Sequence, residues 1–295
     1  MKIQTMSVVV GTNACNATCP FCVSKQTPKH KLSTKVNWRN FNVALSLADR
    51  ADATTILFTG KGEPTLYPSL ISSYLSIIRD SGFKFPFIEL QTNGMQIGNG
   101  ELKGDLNEET VDYSFDYLAD WYKLGLTTVA LSAVSVHQTA NKKIYGDKYP
   151  DIKTTAKILI DKGFTVRLSI MMLNGFVSNC GDIDDVVNFC IENKIKQLTL
   201  RPIVRVEDNS KVAQWVDLHT LPELKKRAII HHVESVGKPI LHLAHGATVY
   251  DFRGQNLCLS NCLTTNDTSE NMRQIIFYPD GTIGYDWKYT GAVLL

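Results

Sequence analysis

Apolar runs of strand length and apolar stripes of helical spacing alternate along the first two thirds of the chain. Ser7-Val8-Val9-Val10 predicts a first strand, and Phe41, Ala44, Leu45 and Ala48 mark one face of a helix. Thr54–Phe58 predicts a second strand. Ile71, Tyr74, Leu75 and Ile78 give a second helical face, closed by Ser81-Gly82. Phe87–Gln91 predicts strand three, stopped at Thr92-Asn93-Gly94, and the Gly/Asn-rich stretch 94–107 predicts a loop. Phe115, Leu118, Ala119 and Tyr122 open the next helical face, followed by strand four at Thr128–Ser132. Ile152, Ala156, Leu159 and Ile160 predict a helix, and Val166–Met171 strand five. Ile183, Val186, Val187 and Cys190 predict the helix that leads to strand six, Gln197–Leu200.

Six β-then-α units predict an α/β fold of parallel strands joined by right-handed crossovers, covered on both faces. Ligands in such sheets gather beyond the carboxyl ends of the strands. The unusual residues fall there: a cysteine loop after strand one, Gly60-Lys61-Gly62-Glu63 after strand two, Thr92-Asn93-Gly94 after strand three, Ser132–Ser135 after strand four. Beyond Arg201 the rhythm changes. A helix is expected over 221–236, then an irregular stretch through Cys258 and Cys262. A β-hairpin follows, whose arms 275–278 and 282–285 flank Pro279-Asp280-Gly281. The expected division is a barrel over 1–205 and a C-terminal extension over 206–295 packed on it.

Composition changes this picture little. The 295 residues, 44% of them hydrophobic, suffice for a large α/β core. A net charge of +2 provides no strong field for nucleic acid or a membrane surface. No apolar run approaches the roughly 20 residues of a membrane span. Met1–Met6 passes into a strand-like run without the long apolar segment of a signal peptide, so a cytoplasmic protein is expected. Seven cysteines fit that compartment if reduced or metal-bound. Cys190 falls on a helical apolar face and reads as core, and Cys180 as a loop residue before that helix.

The chemistry concentrates in Cys15-Asn16-Ala17-Thr18-Cys19-Pro20-Phe21-Cys22, three thiols within eight residues. Together they can bond one iron–sulfur cluster or one soft metal ion. No fourth cysteine follows at comparable spacing, which marks an open, reactive site rather than a sealed structural one. A zinc site completed by a distant histidine is the alternative.

Cys15-x-x-x-Cys19-x-Phe21-Cys22 after a first strand resembles the signature of the radical SAM superfamily. Two further features strengthen the likeness. Thr59-Gly60-Lys61-Gly62-Glu63-Pro64-Thr65 follows strand two as that superfamily's Gly-Gly-Glu-Pro-like motif does, with Lys61 as a departure, and Thr92-Asn93-Gly94 closes strand three. The likeness covers roughly residues 5–205 and implies a partial (β/α)6 barrel. It implies that Cys15, Cys19 and Cys22 hold three irons of a [4Fe-4S] cluster. The fourth iron is then left to the amino and carboxylate groups of S-adenosylmethionine (SAM), whose reductive cleavage yields a 5′-deoxyadenosyl radical that abstracts hydrogen from substrate. By the same resemblance, Gly60, Lys61, Gly62, Glu63 and Asn93 belong to the SAM site. Glu63 faces the methionine ammonium, Phe21 the adenine, Ser132 the ribose or methionine end, and Arg167 with Ser169 the carboxylate. An electron donor such as flavodoxin or ferredoxin is implied as partner.

Some residues read less sharply. Cys258-x-x-x-Cys262 before a hairpin resembles the second-cluster region of the molybdopterin-biosynthesis cyclase and of peptide-modifying members. Here Tyr285-Asp286-Trp287 stands where a later cysteine is expected, so a vestigial pair, a local disulfide or simple packing is favoured over a second cluster at Cys258 and Cys262. His242-x-x-His245 and His231-His232 read as ordinary packing and surface. Lys25, Lys29, Lys31, Lys35 and Arg39 form a basic connector that reads as a solvated loop. The expectation is therefore a radical SAM enzyme closest in layout to the molybdopterin-cyclase-like branch. Its substrate is expected to be small and polar, nucleoside- or nucleotide-like, as Arg201, Arg205 and the basic connector suggest. A peptide-modifying enzyme is the alternative, although Met1–Thr5 leaves no room for an N-terminal recognition domain within this chain. A non-catalytic iron–sulfur or metal-binding protein is the alternative of another class, and it would not need Gly60–Pro64.

Overall fold

The computed structural model describes residues 2–106, 114–203, 205, 210–243, 246–260 and 272–295. Six parallel strands stand side by side in chain order. They are β1 (Ile3–Val9), β2 (Thr55–Thr59), β3 (Phe87–Thr92), β4 (Thr128–Ala133), β5 (Thr165–Met172) and β6 (Gln197–Pro202). Helices cover the outer face: α1 (Trp38–Arg50), α2 (Pro68–Asp80), the short α3 (Met95–Gly98), α4 (Tyr117–Lys123), α5 (Gln138–Tyr145), α6 (Ile152–Asp161) and α7 (Cys180–Glu192). This is the partial (β/α)6 barrel expected, with its strands nearly continuous in buried apolar residues. The predicted faces of α1 and α7 are the buried ones: Phe41, Ala44, Leu45 and Ala48, and Ile183, Val186, Val187 and Cys190. Asn179 and Asp182 cap α7 reciprocally, so the helix starts at Cys180, a position expected in the loop.

Two other expectations need correction. The buried face of α4 is Tyr117, Leu118 and Trp121, while Phe115 and Tyr122 are exposed. Polar tips decide it: Trp121 Nε1 donates to Ser72 Oγ at 3.1 Å and the Tyr117 hydroxyl pairs with Ser69 Oγ at 2.8 Å, locking the aromatic rings onto α2. The stretch expected to be irregular up to Cys258 contains three strands. Past α8 (Lys211–His219) and α9 (Glu223–Val236), β7 (Lys238–His242), β8 (Thr248–Phe252) and β9 (Gln255–Leu259) form an antiparallel meander, and β9 lies parallel to β6. At the other edge the predicted hairpin is present as β10 (Met272–Phe277) and β11 (Ile283–Gly284), with β10 parallel to β1. Residues after 205 thus extend the sheet at both ends, in the order β11-β10-β1-β2-β3-β4-β5-β6-β9-β8-β7. Among the described residues no helix is long and apolar enough to cross a membrane.

Candidate active site at the carboxyl ends of the strands

The cysteine loop leaves β1 through a tight seam. Gly11 has φ +70°, and a Cβ there would stand 2.1 Å from the ring of Tyr67, whose hydroxyl pairs with Thr12 Oγ1 at 2.6 Å. On the neighbouring strand end, a Cβ on Gly62 would meet the Ala14 carbonyl oxygen at 2.0 Å, and Glu63 N donates to that same oxygen at 2.9 Å. The glycine expected to admit a ligand therefore admits the cysteine loop itself. Backbone cannot yield as a flexible side chain can, so Gly62→Ala is expected to cost about 3 kcal/mol of stability. The check is a Tm several degrees lower, and an unchanged Tm would deny the close approach.

Glu63 ties the loop to strand three. The carboxylate is 4% exposed. Its Oε1 accepts from Thr65 N (3.0 Å), Thr65 Oγ1 (2.7 Å) and Thr92 Oγ1 (2.6 Å), and its Oε2 from Asn93 N (3.0 Å). Burial pushes its pKa up, and these four donors pull against that rise. Asn93 continues the network, donating through Nδ2 to Asn16 Oδ1 at 2.7 Å inside the cysteine loop and accepting from Met95 N at 2.9 Å. On the far side Thr18 N donates to Tyr145 O at 3.0 Å, and Lys25 Nζ to Cys19 O at 2.9 Å. Cysteine loop, Gly60–Glu63 and Thr92–Asn93 form one hydrogen-bonded unit.

Burial raises the Cys15 thiol to about 11 and the Cys19 thiol to about 12, and the neighbouring cysteines push both further the same way. The three thiols are thus close enough to feel one another. Among the described residues, however, no three His, Cys, Asp or Glu side chains are gathered tightly enough for a single metal ion. A lone zinc needs sulfurs about 2.3 Å from one centre. A cubane spreads its thiolates over separate irons and does not require that tighter gathering.

Below the loop opens a cavity of about 270 Å³. Cys15, Cys19, Phe21, Gly60, Gly62, Glu63, Asn93 and Ser132 line it, as expected of one shared mouth. Four anticipated residues do not line it. Cys22 stands at the head of the turn Val23–Lys25. Lys61 is buried away from the cavity, where Nζ donates to Thr27 Oγ1 (2.6 Å) and Pro28 O (3.2 Å) beneath the Trp287 ring; burial lowers its pKa to about 8. Arg167 lies deeper on the inner face, paired with Glu89 and donating through Nε to Gln197 Oε1 at 2.8 Å. Ser169 is buried one pleat below the cavity-lining Met171.

The remaining wall is less legible in sequence: Gln91 on β3, Tyr145 at the end of the polar helix α5, Met171 on β5, and Arg201 and Ile203 at the end of β6. Phe21 stands edge-on to Tyr145, with ring centroids 6.3 Å apart, and 6.0 Å from Trp215 of α8. Tyr145 carried no motif, and its only signal was an Ile-Tyr pair closing a polar run. Cys258 lies on β9 in register with Thr199 of β6, and Cys262 lies outside the described residues, as does His245. Arg205 is an exposed residue paired with Asp217 at 2.9 Å.

The arrangement has known counterparts. SuiB of Streptococcus suis, solved with S-adenosylmethionine, superposes with a TM-score of 0.59 at 15% identity over 95% of this chain and 60% of that one. AnSMEcpe, solved with bound AdoMet, gives 0.57 at 13% identity over 98% and 75%. Methylornithine synthase (PylB) gives 0.53 at 12% identity over 79% and 63%. This chain therefore spans about 60% of the SuiB chain's length. At such identities these likenesses establish the fold alone. No curated protein matches the sequence. The sequence profile of the Radical SAM superfamily matches residues 9–190, more than half of the chain and the whole span from the cysteine loop to α7. The chain belongs to the radical SAM superfamily and is an enzyme of that class.

Proposed function

We propose that this enzyme binds a single [4Fe-4S] cluster through Cys15, Cys19 and Cys22 and SAM in the cavity beside it, and acts on a small polar substrate. The observation that carries the reading is the hydrogen-bonded unit joining the cysteine loop, Glu63 and Asn93 around one cavity. Bound together, cluster and SAM supply hydrogen-atom abstraction. The protein supplies placement and shielding. Glu63 is oriented by four donors before any ligand arrives, and Oε2 carries only one of them, which leaves it room for the methionine ammonium. Phe21 offers a face to the adenine, and Ser132 a hydroxyl from the β4 wall. Tyr145, Met171 and Ile203 keep water from the reacting atoms. Arg167 has no part in SAM recognition in this reading, because Glu89 and Gln197 occupy its guanidinium.

Anaerobic reconstitution with iron and sulfide, followed by dithionite and SAM, tests the reading. The expected product is 5′-deoxyadenosine, and its absence with and without cell extract overturns it. Iron analysis is expected to give about four per chain. A value near eight would instead establish a second cluster and bring Cys258 and Cys262 back as ligands. A peptide substrate is the second reading, favoured by the similar fold of SuiB, which is known bound to its precursor peptide SuiA.

A further inference from the structure

Among the described residues, three buried side-chain polar atoms have no hydrogen-bond partner, and two belong to the same cavity: the Tyr145 hydroxyl and Arg201 Nε. Tyr145 is 2% exposed. Both groups can donate. A buried donor left unpaired is costly, and two on residues of one cavity wall mark a place where a polar ligand is called for. Arg201 is the more telling of the two. Among the described residues it and Glu63 are the only charged side chains on the cavity wall, and the Glu63 carboxylate is already held by Thr65, Thr92 and Asn93. The other arginine of the inner face, Arg167, has its carboxylate in Glu89. Arg201 has none among the described residues. A guanidinium at the wall of a largely apolar cavity, flanked by Met171 and Ile203, calls for an anion that the protein does not contribute.

We propose that Arg201 binds an oxyanion of the substrate, a carboxylate or a phosphate. The inference rests on the SAM site proposed above, because it needs SAM's own carboxylate to lie elsewhere. Position supports that. Glu63 follows β2 and Arg201 ends β6, so four strand-to-strand steps of about 4.8 Å separate them around the wall. In an amino acid the ammonium and carboxylate share one carbon. A methionine moiety held at Glu63 therefore presents its carboxylate near β2 and β3, and Arg201 on the opposite wall faces the space left to the second molecule.

Thermal melting of the reconstituted, SAM-saturated enzyme tests this with inorganic phosphate and acetate as probes, chloride at matched ionic strength as reference and acetamide as the uncharged control. Wild type is expected to gain about 3 °C from at least one oxyanion and nothing from acetamide. Phosphate alone acting points to a phosphorylated substrate, and acetate to a carboxylate. Arg201→Gln is expected to lose the gain and Arg201→Lys to keep part of it, while SAM affinity by equilibrium dialysis stays within about threefold in both. An unaltered gain in Arg201→Gln, or none in wild type, overturns the proposal. A roughly tenfold loss of SAM affinity in Arg201→Gln also overturns it, by assigning the residue to SAM's carboxylate. Wild type that makes no 5′-deoxyadenosine yet responds to oxyanions only through Arg201 refutes the proposed SAM chemistry and leaves the anion site standing.

Discussion

Cys19→Ala is expected to yield a colourless protein after anaerobic reconstitution, with SAM cleavage below detection. Cys19 feels the charges of both Cys22 and Cys15, and those two alone offer too few ligands for a cubane. The substitution spares the local scaffold, since Lys25 Nζ bonds the Cys19 carbonyl and not its side chain. An apo-protein melting point close to wild type therefore accompanies the loss, and separates it from misfolding. Retention of the brown chromophore would refute the ligand assignment. The raised thiol values add a sign. At neutral pH Cys15 and Cys19 are protonated in the empty protein, so loading iron must release protons. Reconstitution is expected to proceed further at alkaline than at neutral pH.

Glu63→Gln is the second large effect, and it separates two roles. Whichever way the amide is turned, its NH2 faces a buried backbone N–H, that of Asn93 on one side or of Thr65 on the other. One donor is left unpaired and the charge assistance is lost, a cost of about 2–4 kcal/mol. SAM affinity is expected to fall by roughly 10–100-fold, from losing the charged partner of the ammonium. Thr92→Val supplies the contrast. It deletes one bond to Oε1 and the acceptor of Gly94 N while keeping the carboxylate, so about 2–3 kcal/mol of stability should go and SAM affinity should hardly move. Equal SAM affinity in wild type and Glu63→Gln would remove Glu63 from the binding site and leave it a purely structural clasp.

The legible parts of the chain were those whose physics is local. Near-continuous apolar runs announce β1–β6, which are covered on both faces, and period-3.6 stripes announce α1, α2 and α7, which each bury one face. The thiols and Gly60–Glu63 follow consecutive strands, β1 and β2, so their meeting needs only parallel strands in order. The misreadings are non-local. Polar α5 carries a buried Asn141 whose amide serves Val134 N and Ser135 O, an interior role that composition hides. Arg167 and Arg201 look alike in sequence, and only Glu89, some eighty residues upstream of Arg167, tells the neutralised arginine from the open one. Strands β7–β9 escaped because only β9 docks on the sheet, against the distant β6, and β7 is exposed throughout. Gly62 was read correctly as a close approach, but its neighbour is protein.

The pairing of β10 with β1 bears on how this enzyme is made. Met6 and Ile275 are register partners separated by most of the chain, and the hairpin also holds the segment after the cysteines. Asn37 N donates to Pro279 O at 2.8 Å, Asn40 Nδ2 to Gly281 O at 3.0 Å, and His30 stacks on Tyr278 at 4.1 Å. During synthesis at about 5–20 residues per second, β1 and its cysteine loop wait tens of seconds with one edge uncovered before β10 arrives. Until then the exposed edge of β1 is a place for strands of other chains to add.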